Sequence, residues 1–81
     1  MAKYDPLHIY LKKQIKPEIM MDFAEIEQIL GTNLPQSANT DRTWWANVAT
    51  YTRVQQKSWM EAGYSVYSVD FNRKRITFKR T

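Results

Sequence analysis

The sequence predicts an α+β domain: three short helices on one face of a small antiparallel sheet that ends in a C-terminal β-hairpin. The order of elements is like that of winged-helix domains. Two observations carry this reading. Asp22-Phe23-Ala24-Glu25 opens a helical apolar repeat that Gly31 ends. Tyr67, Val69 and Phe71 alternate along one segment, and Ile76 and Phe78 along the next, which is the period of paired strands.

The elements follow in order. Asp5-Pro6 pairs an N-cap carboxylate with a proline at the first helical position. Leu7, Tyr10 and Leu11 then recur at helical spacing, so a first helix is expected to about Gln14. Lys12, Lys13 and Lys16 follow near its C-terminal end, where cations suit the helix dipole, and Pro17 prevents continuation. Ile19-Met20-Met21 reads as a short strand lying against the hairpin.

The second helix has Asp22 as N-cap and Glu25 completing a capping box, with Phe23, Ile26, Ile29 and Leu30 on its apolar side. Residues 32–49 show no period, and their Pro, Asn, Ser, Thr and Asp content favours turns. So long an irregular connection in so small a domain points to function. A third helix is expected over residues 50–62, with Tyr51, Gln55, Trp59 and Ala62 near one stripe and Gly63 ending it. The hairpin is expected to pair Phe71 with Ile76 and Val69 with Phe78 around an Asn72-Arg73-Lys74-Arg75 turn. Ser68, Asp70, Thr77 and Lys79 would then face outward.

Eighty-one residues are expected to form one domain over 1–81. Eleven aromatic side chains compensate for the small size, because each buries a large area. No cysteine is present, so neither a disulfide nor a thiolate metal cage is available, which suits a reducing bacterial cytosol. No apolar run approaches the roughly 20 residues of a membrane span. The formal charge is +4, and after Asp70 come Arg73, Lys74, Arg75, Lys79 and Arg80 with no acid. That makes the hairpin the expected basic pole, either a solvated surface or a phosphate contact.

Tyr4-Asp5-Pro6-Leu7, Phe23-Ala24-Glu25-Ile26-Glu27 with Leu30-Gly31, and Leu34-Pro35 with Ser37-Ala38 form a recognisable series. It continues through Arg42 with Trp44-Trp45-Ala46-Asn47, Trp59 with Ala62-Gly63, and Val69-Asp70 before Ile76-Thr77-Phe78-Lys79-Arg80. This series resembles a small family of domains of unknown function found in bacteria and phages, alone or attached to larger proteins. The resemblance covers nearly the whole chain, with the Trp-Trp-Ala-Asn block its most specific part. It implies a complete domain and brings no activity, cofactor or ligand with it.

Catalysis is not expected. His8 is the sole histidine and has no nucleophile or carboxylate at a catalytic spacing. No metal-ligand spacing and no glycine-rich phosphate loop occur. Adjacent tryptophans cannot share one face of a regular element, so Trp44-Trp45 has two readings. Both rings could serve the core and its rim. Alternatively one could stack on a base, with Arg42 holding an anion and Ser37 and Asn47 supplying hydrogen bonds. The third helix would add Arg53 and Lys57, with Gln56 on the same face.

Three functions follow as expectations. The first is a non-enzymatic nucleic-acid-binding module using the Arg/Trp loop and the hairpin cations. The second is a phage or bacterial anti-defence protein that binds a nucleotide or inhibits a partner enzyme. The third is a structural or oligomerising domain whose Trp loop meets a protein partner.

Overall fold

A computed structural model describes residues 3–47 and 54–81. The chain runs α1 (Asp5–Lys12), β1 (Glu18–Asp22), α2 (Phe23–Leu30) and α3 (Gln36–Thr40). A 3-10 turn (Arg42–Trp45), α4 (Val54–Met60), β2 (Tyr64–Asp70) and β3 (Arg75–Arg80) complete it. The three strands form one antiparallel sheet in the order β1-β3-β2, so the C-terminal strand is central and both edges come from earlier chain.

Local chemistry explains most boundaries. Helix α1 begins one residue earlier than expected: Tyr4 holds the N-cap position and Asp5 lies in the first turn. Helix α2 has the capping box of Asp22 and Glu25, with the Asp22 amide donating to Glu25 Oε1 at 3.0 Å. Gly31 ends it at φ 75°, a left-handed conformation in which a Cβ would be strained. Of the segment 32–49, the described residues 32–47 are more regular than their composition suggested. Thr40 Oγ1 donates to the Gln36 carbonyl and Asn39 Nδ2 to the Pro35 carbonyl, so polar side chains brace the short α3. Of the helix expected over 50–62, α4 covers Val54–Met60, and residues 48–53 lie outside the described ones.

The hairpin register differs from the expected pairing. Val69 faces Ile76 and Asp70 faces Arg75, so the turn is Phe71–Lys74. Asp70 Oδ1 accepts the Arg73 amide at 3.1 Å, and Lys74 takes φ 53°, which together close the turn early. A bulge between Val66 and Ser68 then places Val66 opposite Phe78. Its extra residue, Tyr67, turns outward, whereas the alternation had placed that ring in the core. Thr77, expected in solvent, is buried because β3 is flanked on both sides.

The core lies between the helices and the inner sheet face. Trp45 is stacked between Phe23, at 5.3 Å, and Trp59, at 5.7 Å, while Leu7, Leu11, Ile26, Ile76 and Phe78 complete the layer. Tyr4 closes its rim, and burial raises its hydroxyl pKa above the ordinary tyrosine value.

Trp45→Ala is expected to lose about 3–5 kcal/mol and unfold much of the population, because it opens a cavity inside the stack. Trp44→Ala, at a half-buried ring, should lose less. Urea denaturation of the two variants checks this order.

Candidate functional site

The Trp loop is tied to the edge of β2 by its own side chains. Asn47 Nδ2 donates to the Val66 carbonyl at 2.7 Å, and Asn47 Oδ1 accepts the Val66 amide at 2.8 Å. The same oxygen accepts Trp59 Nε1–H at 3.1 Å. One amide side chain thus pairs with the open strand edge as a neighbouring strand would, and links it to α4. Arg42 Nη1 donates to the Val69 carbonyl at 3.3 Å, with its guanidinium 5.2 Å from the Phe71 ring centre.

The paired tryptophans are now distinguished. Trp45 is buried, and its indole N–H donates to the Ala38 carbonyl at 2.8 Å. Trp44 is half-buried, edge-on to Trp45 at 4.6 Å and to Tyr4 at 6.0 Å. Arg42, Trp45 and Asn47 line a shallow groove of about 350 Å³ beside Val66–Val69; Trp44 does not line it. Ser37 is exposed on α3 and stands apart from that groove. Arg53 lies outside the described residues. Lys57 is exposed on α4, but Gln56 beside it is buried, so the face expected to carry both does not form.

The hairpin cations divide into two groups. At the turn, Arg75 Nε lies 3.0 Å from Asp22 Oδ1 and Arg73 Nε 4.0 Å from Asp70 Oδ2. Lys74 has no acid at ion-pair distance among the described residues. The turn borders an open concavity of about 690 Å³ whose other wall holds Gln36, Asn39 and Glu27. Glu27 is occupied there, accepting the Leu34 amide at 2.7 Å.

The other end of β3 is different. Arg80 Nη2 donates to the Gln14 carbonyl at 2.6 Å and its amide to the Pro17 carbonyl at 2.8 Å. Tyr64 donates its hydroxyl to the Lys16 carbonyl at 2.7 Å. These bonds bring Lys79 and Arg80 beside Lys12, Lys13 and Lys16 at one corner. Among the described residues none of those three lysines has an acid at ion-pair distance, and Lys79 lies 4.0 Å from Glu18. Five of the chain's twelve Lys and Arg lie here, with Glu18 beside Lys79 and Glu61 two residues before Gly63, which packs on Arg80 and Thr81. The corner is therefore richer in cations than in acids.

The chain matches the model of a domain of unknown function, DUF7662, over residues 4–81. It belongs to that family. No curated protein and no solved structure matched the chain.

Sequence reasoning passed over Lys12, Lys13 and Lys16, which it treated as cations favourable to a helix end. Joining them to Lys79 and Arg80 requires the β1-β3 register, which no local pattern reveals. His8 donates from Nδ1 to the Ser58 carbonyl at 3.2 Å and so bridges α1 and α4. Among the described residues no group of His, Asp and Glu is placed to hold a metal ion, and no helix is long and apolar enough to cross a membrane.

Asn47→Ala removes three hydrogen bonds and should cost about 1–3 kcal/mol. Amide hydrogen exchange should quicken at Val66 more than at Ile76 in the central strand. Unchanged protection at Val66 would show that the side chain does not cover the edge.

Proposed function

We propose that this DUF7662 domain is a nucleic-acid-binding module whose phosphate-contacting surface is the corner of Lys12, Lys13, Lys16, Lys79 and Arg80. The observation that supports this reading is the gathering of five cations at that corner, three of them with no acid at ion-pair distance among the described residues. Lysines without carboxylate partners keep their field for an external polyanion, whereas Arg73 and Arg75 at the hairpin turn share theirs with Asp70 and Asp22. The role read for the basic hairpin thus moves from its tip to its base. Lys79 and Arg80 keep it, and Lys74 at the turn is at most an auxiliary contact.

The ligand is recognised here chiefly as a chain of phosphates. Affinity should fall with salt, because each neutralised phosphate releases bound counterions. The Trp loop enters as scaffold: Arg42 and Asn47 spend their donors on Val69 and Val66, and Trp45 is sealed in the core.

Fluorescence anisotropy with labelled duplex and single-stranded DNA across a salt series tests the reading. Lys13→Gln and Lys16→Gln should each lower the slope of log K against log salt by about 0.9 on duplex or 0.7 on single strands, if each lysine meets one phosphate. Arg73→Gln should change it little. Absence of binding to either nucleic acid at low salt would remove the reading.

A further inference from the structure

The outer face of the sheet continues directly from the charged corner. Helices pack against the inner face, and the outer one carries Glu18 and Met20 on β1, Lys79 on β3 and Tyr67 and Ser68 on β2, all on strands in direct register. Tyr67 is 64 % exposed and Met20 58 %, so this face presents an aromatic ring and a thioether to solvent. The bulge between Val66 and Ser68 makes Tyr67 point this way: without the extra residue, the strand period would not place two successive side chains outward. Lys79 Nζ lies 3.6 Å from the Tyr67 ring centre, so a cation of the corner rests on the ring itself.

We infer that Tyr67 is a stacking platform for an unpaired base and that the nucleic acid this domain takes is single-stranded. The inference rests on the phosphate-binding role proposed for the corner. A ring on an open sheet face can stack only on a base that has left its duplex, and base–aromatic stacking is indifferent to sequence. The adjoining charge is complementary to a phosphate chain. Lys79, which covers the ring in the free protein, moves its ammonium to a phosphate as the base takes its place. The helices are poorly suited to duplex readout: over its described length α4 buries Gln55, Gln56, Ser58 and Trp59, and α3 has five residues. Neither offers a long polar face for a major groove.

The test compares a labelled oligothymidylate with a random-sequence duplex, using the wild-type chain, Tyr67→Phe and Tyr67→Ala. The wild type should bind the oligothymidylate more tightly than the duplex. Tyr67→Ala should weaken strand binding roughly 5- to 150-fold, the range that stacking of one base spans. It should leave duplex binding unchanged, and Tyr67→Phe, which keeps the ring, should bind the strand like wild type. Because Tyr67 is exposed, circular dichroism and melting of both variants should match wild type. Strand binding by Tyr67→Ala equal to wild type, with the salt slope still lowered in Lys16→Gln, would overturn the platform and leave the charged corner standing. Preference for the duplex would likewise overturn it. Failure of both nucleic acids to bind at low salt would overturn the corner as well.

Discussion

Trp45 lies between the rings of Phe23 and Trp59, and its indole N–H ends on the Ala38 carbonyl. Each partner belongs to a different element: Phe23 opens α2, Trp59 lies in the last turn of α4, and Ala38 is the buried residue of α3. A chain of this length without cysteine has no disulfide to hold such pieces together, so the large ring area has to do it. Trp59 extends the contact to Phe78 on the central strand and to Asn47 through its own N–H. Asn47 in turn occupies the β2 edge. The segment that looks irregular in sequence is therefore the keystone of the packing, and its buried Trp45 sends its indole N–H to a defined acceptor, as a buried tryptophan requires.

How much of this could be read from the chain depended on whether the signal was local. Helix α2 is written in four neighbouring residues and a glycine, and the structure reproduces it with its capping box. The strand at Ile19–Met21 and the break at Gly63 were legible for the same reason. The hairpin register was not. Tyr67, Val69 and Phe71 have the spacing of an inward face, yet an Asp70 side chain closing the turn and one extra residue at the bulge each shift the pairing. Period-2 alternation survives a bulge in the sequence while its meaning reverses beyond it. Helix α3 was hidden by a different ambiguity, since Ser, Asn and Thr favour turns through the same backbone hydrogen bonds that here brace a helix.

The candidate site was legible in composition and not in location. Five cations after the last acid mark the hairpin as basic, but β1 lies beside β3 and brings Asp22 to Arg75 and Glu18 to Lys79. The Asp70 that closes the turn also holds Arg73. Exposed pairs of this kind add little stability. Their larger effect is on the field: a cation beside a carboxylate projects little potential outward, so Arg73 and Arg75 are muted and Lys74 is left as the cation of the turn with no acid at ion-pair distance among the described residues. Linear charge runs omit the partner that the next strand supplies.

The opposite end of β3 could repel itself apart, and the backbone explains why it does not. Lys12 lies in the last turn of α1 and Lys13 at its C-cap, where the helix dipole presents partial negative charge. The carbonyls of Gln14 and Pro17 receive Arg80, and the Tyr64 ring lies 5.1 Å from its guanidinium centre. Peptide dipoles and a ring face stabilise these cations without cancelling their charge, which a carboxylate would do. Lys79 is the intermediate case, shared between Glu18 at 4.0 Å and the Tyr67 ring at 3.6 Å. Both interactions are made in solvent and are weak enough to exchange for a phosphate. The fold thus holds positive charge together with neutral groups, and places the Lys79 ammonium over Tyr67, the most exposed ring among the described residues.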